Sequence, residues 1–262
     1  MNRELLARYL RQLAEMGGDD VVFERLTAAE AVDLLTGRAA TAPPIPGPMP
    51  PDAAAWPLPP AAAASALAAA SPAAAPESDA LAPLAAAASV CTLCRLHESR
   101  THVVFGEGSG TAELVVVGEA PGQEEDRTGR PFVGRAGRLL DLLLMTAGFP
   151  RESVYICNVL KCRPPNNRNP MADEVHVCTR TYLYAQIEAV SPRVLLAVGK
   201  FAAQSLLRSE ESIGRLRDTV HDCGGTPLVV TYHPAYLLRS PQMTRVAWQD
   251  FQLVRKVLDG QA

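Results

Sequence analysis

The stretch Leu114–Gly118 reads LVVVG, and three further short apolar runs repeat its character at 154–158 (VYICN), 194–199 (VLLAVG) and 228–232 (LVVTY). Continuously apolar runs of this length are typical of strands buried on both faces of a parallel sheet. Helical patterns separate and follow these runs, at 135–147, 171–189, 200–208 and 242–258. The alternation predicts an α/β fold, a three-layer α/β/α sandwich with a central four-stranded parallel sheet.

The N-terminal third of the chain has a different composition. Residues 1–88 carry five basic and ten acidic side chains, whereas residues 89–262 carry 20 basic and 18 acidic ones. We expect a short amphipathic helical segment at 1–38 and a disordered linker rich in Ala and Pro at 39–88. The globular domain is then expected at 89–262. The first segment is interpreted either as a docking element for a partner or as an inert extension.

Overall composition excludes several classes of protein. The formal net charge of the 262-residue chain is −3, which fits neither a strongly basic coat protein nor an acidic tail. The most apolar tract, 60–75, consists of Ala and Pro and is not expected to span a membrane. Six cysteines are too few for a disulfide scaffold and suit a reducing cytosol. With no signal peptide evident, we expect a cytoplasmic protein.

Polar side chains follow three of the four predicted strands. Glu119 comes after the first strand, Asn158 ends the second, and His233 comes after the fourth. Ligands of open parallel sheets bind outside the carboxyl ends of the strands. Each residue alone has an ordinary structural explanation, but their convergence at one edge indicates a functional site.

The connections at this edge have their own character. The segment GEAPG at 118–122 predicts a tight turn whose backbone N–H groups can face a ligand, although an ordinary βα loop would look similar. The loop KCRPPNNR at 161–168 is basic, with no acidic residue between Glu152 and Asp173. Such a patch suits phosphate groups, and a solvated turn is the alternative.

Cysteine spacing indicates a metal site. A Cys-x-x-Cys pair precedes the first strand, and two more cysteines follow the second strand, one in the basic loop and one in the next helix. Four such thiolates suit either a tetrahedral zinc ion or an iron–sulfur cluster, and spacing does not choose between them. The four are Cys91, Cys94, Cys162 and Cys178. We expect Cys157 to be a core side chain and Cys223 a surface thiol.

Taken together, these motifs resemble the family 4 uracil-DNA glycosylases, the iron–sulfur-containing bacterial and archaeal branch. The similarity runs from about 89 to 258. It rests on the four cysteines in the order of the family and on four segments, GEAPG at 118–122, GRPFVG at 129–134, NVLKCRPP at 158–165 and HPA at 233–235.

The resemblance implies hydrolysis of the bond between uracil and deoxyribose in DNA, the opening step of base excision repair. It also implies a [4Fe–4S] cluster on the four cysteines named above. The expected partner is uracil-containing DNA, single- or double-stranded, bound by a monomer. Residues 1–38 could then dock a repair or replication protein.

The resemblance also assigns the pocket. The target base must leave the stack to be reached. Phe132 would stack on the flipped uracil, Asn158 would accept from N3–H while donating to O4, and His233 would donate to O2. Ala120 occupies the position at which family 1 enzymes carry an aspartate, and it is expected to border the substrate.

Two carboxylates compete for the remaining catalytic role. With Ala120 unable to orient water, Glu119 is the first candidate for positioning the nucleophile and Glu125 the second. By analogy with the family, Glu125 could instead lie near uracil C5 and exclude the methyl group of thymine.

The expected DNA contacts are of two kinds. Basic side chains would contact phosphates, and one leucine would fill the gap left by the flipped base. The six residues are Lys161, Arg163, Arg168, Leu237, Leu238 and Arg239.

Two other functions remain as alternatives. One is a uracil-binding protein trapped covalently on its product, which would need an inserted basic loop with a nucleophilic histidine that 161–168 lacks. The other is a non-catalytic metal-binding or redox-sensing protein built on the same sheet.

Overall fold

The computed structural model describes residues 80–261, which contain a six-stranded sheet with helices on both faces. The strands are β1 (Glu107–Gly108), β2 (Leu114–Gly118), β3 (Tyr155–Asn158), β4 (Val194–Val198), β5 (Val220–Cys223) and β6 (Thr226–Thr231). The helices are α1 (Leu81–Ser89), α2 (Gln123–Thr128), α3 (Arg135–Thr146), α4 (Ala172–Cys178), α5 (Tyr184–Val190), α6 (Lys200–Leu207), α7 (Ile213–Leu216), α8 (Pro234–Arg239) and α9 (Thr244–Leu258).

The strand order is β1-β3-β2-β4-β6-β5. The inner four strands are parallel, which confirms the predicted central sheet, and Gly118 at the end of β2 pairs with Asn158 at the end of β3. Two short antiparallel strands, β1 and β5, extend the sheet at its edges. A strand count of four was therefore too low, because the edge strands are short and lack an apolar run.

Alternate residues of the inner strands point to two separate cores. On one face, Val115 and Leu195 pack with buried residues of α1, α4, α5 and α6. On the other face, Val116 and Leu196 pack with α3, α8 and α9. Burial on both sides explains why these strands are apolar throughout and makes the fold the predicted three-layer sandwich.

The domain begins earlier in the sequence than predicted. Helix α1 covers residues that the composition assigned to the linker, and Ala88 at its end is 1% exposed. Tyr182 donates a hydrogen bond from its hydroxyl to the Ala87 carbonyl at 3.4 Å, and α1 packs against α5. The prediction of a disordered linker is therefore wrong for residues 81–88. Residues 1–38 and the remaining linker up to residue 79 lie outside the described residues.

Two further details complete the fold. The pattern at 171–189 forms α4 and α5 joined by a π-helical turn, Thr179–Leu183, directly after Cys178. Within residues 80–261, no helix is long and apolar enough to cross a membrane.

Candidate functional site

Side chains from separate segments meet over a glycine, Gly118, at the carboxyl ends of β2 and β3. A Cβ atom on Gly118 would lie 2.4 Å from Asn158 Oδ1 and 2.5 Å from Phe132 Cζ. Only a residue without a side chain permits that approach. The amide of Asn158 and the ring of Phe132 therefore meet over the end of β2, as predicted.

Phe132 occupies an unusual conformation in the connection between α2 and α3. Its φ is 51°, in the left-handed region, and the residue is 6% exposed. A non-glycine residue held there costs on the order of 1–3 kcal/mol. The Phe132 and His233 ring centroids are 5.8 Å apart with their planes tilted by 32°. His233 therefore joins the same group of side chains from the segment after β6.

The side chain of Asn158 is buried with an unused acceptor. The residue is 1% exposed, and no donor among residues 80–261 reaches its Oδ1. A buried carbonyl oxygen without a partner costs about 1–3 kcal/mol. The orphaned oxygen is therefore suited to receive an N–H group from a bound ligand.

His233 caps the N-terminus of α8, and this fixes its tautomer. Its Nδ1 accepts a hydrogen bond from the Ala235 N–H at 3.1 Å. In the neutral ring the proton then resides on Nε2, which becomes a donor. Burial, reinforced by the positive charge of Arg239, lowers the pKa of His233 to about 4. The ring is therefore a neutral donor at physiological pH.

The two candidate carboxylates have different surroundings. Burial raises the pKa of Glu119 to about 7. Glu125 instead accepts three backbone N–H groups, from Gly122 at 3.1 Å and from Val133 and Gly134 at 2.9 Å each. Glu125 thus ties the two glycine-rich segments together, whereas Glu119 retains an environment typical of a catalytic carboxylate. Ala120, beside Glu119, is half-buried and packs against the first core.

The four predicted metal ligands are brought together. Cys91, Cys94, Cys162 and Cys178 line one cavity, which Arg100, Lys161 and Tyr182 also border. The thiol groups are free of disulfides, and Cys162 Sγ accepts from Arg100 Nη1 at 3.2 Å. The Lys161 N–H donates to Cys178 Sγ at 3.3 Å. Donors of this kind stabilise thiolates, so the residues fit a thiolate-bound metal group.

Two predicted phosphate contacts have other partners in the structure. Lys161 is 1% exposed, and its ammonium group donates to the Asn158 carbonyl at 2.6 Å. Arg168 pairs through both terminal nitrogens with Glu174, whose side chain is 0% exposed. Both cations therefore bind groups within the protein. These contacts hold the loop at 161–168 in place instead of presenting the charges to DNA.

The other predicted DNA contacts divide by exposure. Leu237 is 1% exposed and packs in the second core, so it is not the wedge. Leu238 is 39% exposed, and Arg239 is exposed beside it. Arg163 is half-buried and donates to Asn167 Oδ1 at 2.7 Å. A leucine and two arginines thus remain accessible, fully or in part, to solvent.

The sequence did not predict the position of Arg100, and it predicted the wrong position for Cys223. Arg100 was not predicted to face the cysteines, although it lies six positions after Cys94 in the same segment. Cys223 is not a surface thiol: it is 6% exposed in β5, and burial raises its pKa to about 11. Cys157 is fully buried in the core, as predicted.

The geometry defines a class of protein. A ring, a buried amide and a neutral imidazole meet at the carboxyl edge of a parallel sheet, and four thiols gather from the segment before β2, the loop after β3 and the end of α4. Such an arrangement suits a planar ligand with hydrogen-bonding edges, such as a nucleobase.

Comparison with known proteins identifies the family. The model of the uracil DNA glycosylase superfamily matches residues 105–252, so the chain belongs to that superfamily. A type-4 uracil-DNA glycosylase from Thermotoga maritima is 47% identical over 172 residues, covering 64% of this chain and 89% of the relative. One from Archaeoglobus fulgidus is 43% identical over 172 residues, covering 63% and 86%. A type-5 enzyme from Pyrobaculum aerophilum is 33% identical over 147 residues, covering 50% and 64%. The resemblance to the type-4 branch is confirmed.

Proposed function

We propose that this chain hydrolyses the glycosidic bond of deoxyuridine in DNA, releasing uracil and leaving an abasic site. The observation that carries the proposal is the unpartnered, buried Oδ1 of Asn158 over Gly118, beside the rings of Phe132 and His233. Membership of the superfamily and similarity to type-4 uracil-DNA glycosylases support it.

Asn158 reads the base. Its Oδ1 accepts from uracil N3–H, and its amide nitrogen donates to O4. Cytosine presents an unprotonated N3 and an amino group at these positions, so both would face like groups of a fixed amide. Leaving buried polar groups unpaired is a strong source of discrimination. The ring of Phe132 supplies the stacking face.

His233 stabilises the leaving group. Negative charge grows on uracil O2 as the base departs, and the Nε2–H donor of the neutral ring meets it. One well-placed donor of this kind is worth about 10²–10³ in rate. Because the Ala235 N–H fixes the tautomer, the donor is ready before the substrate arrives.

Glu119 orients the attacking water. The sugar becomes cationic in the transition state, so an ionised carboxylate stabilises it and also accepts a proton from the water. A pKa of about 7 suits such a group near neutral pH. Glu125 holds the two pocket loops through three backbone hydrogen bonds, so we assign it a positioning role.

The four cysteines would hold a [4Fe–4S] cluster. All four line one cavity and are free of disulfides. Four thiolates are the usual ligand set of such a cluster, and the similarity to type-4 uracil-DNA glycosylases supports the choice of iron over zinc. When bound, the cluster supplies cross-links between the segment before β2 and the loop after β3.

Metal analysis tests this assignment. We expect iron and sulfide in the purified protein, with loss of both in Cys162→Ser. Cys157→Ser is the matched control, because Cys157 is a core residue outside the cavity. Zinc in place of iron, or full iron retention in Cys162→Ser, would contradict the assignment.

Arg163, Leu238 and Arg239 remain as the DNA contacts. The two arginines would neutralise phosphates, and Leu238 would enter the stack in place of the flipped base. We also propose that the enzyme acts in the cytoplasm on nucleoid DNA, because six cysteines in 262 residues are too few for a disulfide scaffold and suit a reducing compartment.

The test uses single-stranded oligonucleotides that differ only in one base, uracil, thymine or cytosine. We expect alkali-labile strand cleavage and free uracil, measured by mass spectrometry, for the uracil strand alone. Asn158→Ala should lose about 10²-fold or more in rate. Asn169→Ala, in the same exposed loop, is the matched control and should retain the wild-type rate, because within residues 80–261 only the backbone oxygen of Asn169 accepts a hydrogen bond. Absence of free uracil would contradict the proposal, and a denaturing-stable adduct would instead identify a covalently trapped uracil-binding protein.

A further inference from the structure

The backbone around Phe132 is held from two sides by charged groups. On the amide side, Glu125 Oε1 accepts from the N–H groups of Val133 and Gly134. On the carbonyl side, Arg151 Nη2 donates to the Pro131 oxygen at 2.6 Å, and Nη1 lies 3.3 Å from the Phe132 oxygen. Phe132, the residue with the left-handed φ, therefore lies between an acceptor, Glu125, and a donor, Arg151.

Arg151 is itself fixed in place. Its Nε donates to Glu107 Oε1 at 2.9 Å, and its Nη1 donates to Asp141 Oδ1 at 2.6 Å. The side chain is 21% exposed. Burial alone would raise the pKa of Glu107, but hydrogen bonds from Arg130 and Arg151 outweigh it and leave the pKa below its ordinary value. The guanidinium thus joins β1, α3 and the Phe132 loop.

A residue keeps an unfavourable backbone conformation only when several contacts with its surroundings hold it there. Phe132 would relieve its φ of 51° by rotating its peptide units, which would move the ring off Gly118 and Asn158. The carbonyl contacts of Arg151 oppose that rotation. Close packing adds to the restraint, since a Cβ on Gly137 would overlap the Phe132 oxygen.

We propose that Arg151 is a positioning residue for uracil excision, which acts by holding the Phe132 ring in its stacking orientation through the carbonyls of Pro131 and Phe132. The inference rests on the proposed function, because it assumes that Phe132 stacks on the base. Arg151 touches neither substrate nor reacting atoms in this account. Its contribution is to prepare the stacking face before the base is flipped.

A double-mutant cycle tests the proposal on single-stranded uracil DNA. Phe132→Ala should lower kcat/KM about 10- to 100-fold through lost stacking, and Arg151→Met about 10-fold through misplacement of the ring. In the Phe132→Ala background, Arg151→Met should add less than about 2-fold, because no ring remains to position. A purely structural role would give the same loss in both backgrounds.

Arg130→Met is the matched control. Arg130 pairs with the same Glu107, at 2.7 Å, but makes no contact with the loop carbonyls. We expect it to change kcat/KM by less than about 2-fold. Should Arg151→Met fail to fold, Arg151→Lys carries the same cycle, since lysine keeps the charge but donates from a single point.

The results distinguish the stacking role of Phe132 from the positioning role of Arg151. Full activity in Phe132→Ala would contradict the stacking role and with it the basis of this inference. A large loss in Phe132→Ala combined with additive losses for Arg151, or with an equal loss in Arg130→Met, would leave the proposed function intact and overturn the role of Arg151.

Discussion

The rings of Phe132 and His233 lie 5.8 Å apart, although one precedes α3 and the other follows β6, two strands away from β2 in the sheet. Asn158 completes the group from β3, on the other side of β2. The group therefore spans the centre of the sheet. Asn158 and His233, which are anchored at the ends of buried strands, hold a ligand more rigidly than residues of one flexible loop would.

The rate of excision should depend on pH through Glu119. If the ionised carboxylate orients water, the single-turnover rate rises with pH, with a midpoint near the pKa of about 7, and then levels off. His233, with a pKa of about 4, stays neutral across this range and adds no further step. Glu119→Gln should be slow and lack the step near pH 7. An unchanged profile in that variant would assign the water to another group.

The same carboxylate should lower stability at high pH. Its folded-state pKa of about 7 lies above the ordinary value of 4.5, so the folded state retains a proton that the unfolded chain releases between these values. The contribution of Glu119 to stability therefore falls as pH rises through that window. Relative to wild type, Glu119→Gln should gain more in Tm at pH 8 than at pH 5. An equal gain at both values would mean that the group titrates normally.

Adjacent leucines on α8 should behave oppositely. Leu237→Ala removes a side chain that is 1% exposed and should lower the free energy of unfolding by about 2–5 kcal/mol. Leu238→Ala, at 39% exposure, should change it by less than about 0.5 kcal/mol. Leu238→Ala should instead slow excision from duplex DNA more than from single strands, because only a duplex leaves a gap to fill. Equal slowing on both substrates would argue against a wedge.

The pair between Arg168 and Glu174 should matter for stability. Arg168→Met leaves a carboxylate with a 0% exposed side chain without its main partner, which costs about 3–5 kcal/mol in chemical denaturation. Arg163→Met, in the same loop, should cost less than about 0.5 kcal/mol while weakening DNA binding. If Arg168→Met were as stable as wild type but bound DNA more weakly, the result would support the predicted phosphate contact of Arg168.

The sequence predicts the inner sheet well because burial on both faces leaves an unmistakable apolar signature. Residues 114–118 form β2 with the predicted bounds. The edge strands carry no such signature: β1 has two residues, and β5 (VHDC) is partly exposed. Their pairing depends on neighbours that only the folded chain supplies.

The candidate site was predictable in its members but not in all of its contacts. Asn158, Phe132 and His233 converge because strand ends meet at one edge. The charge of Lys161 does not reveal that its ammonium group turns inward to the Asn158 carbonyl. Likewise, the six-residue helix α8 is too short for periodicity to show which leucine is buried. No sequence motif predicts that Arg151 donates hydrogen bonds to the carbonyl groups of the Phe132 loop.

A single pyrimidine ring is expected to occupy the space between Phe132, Asn158 and His233. A crystal structure of the protein soaked with free uracil tests it most directly. We predict a planar ring stacked on Phe132, with Asn158 within hydrogen-bond distance of N3 and O4 and His233 Nε2 within that distance of O2. Uracil bound at any other place, with this pocket filled only by water at saturating ligand, would contradict the account.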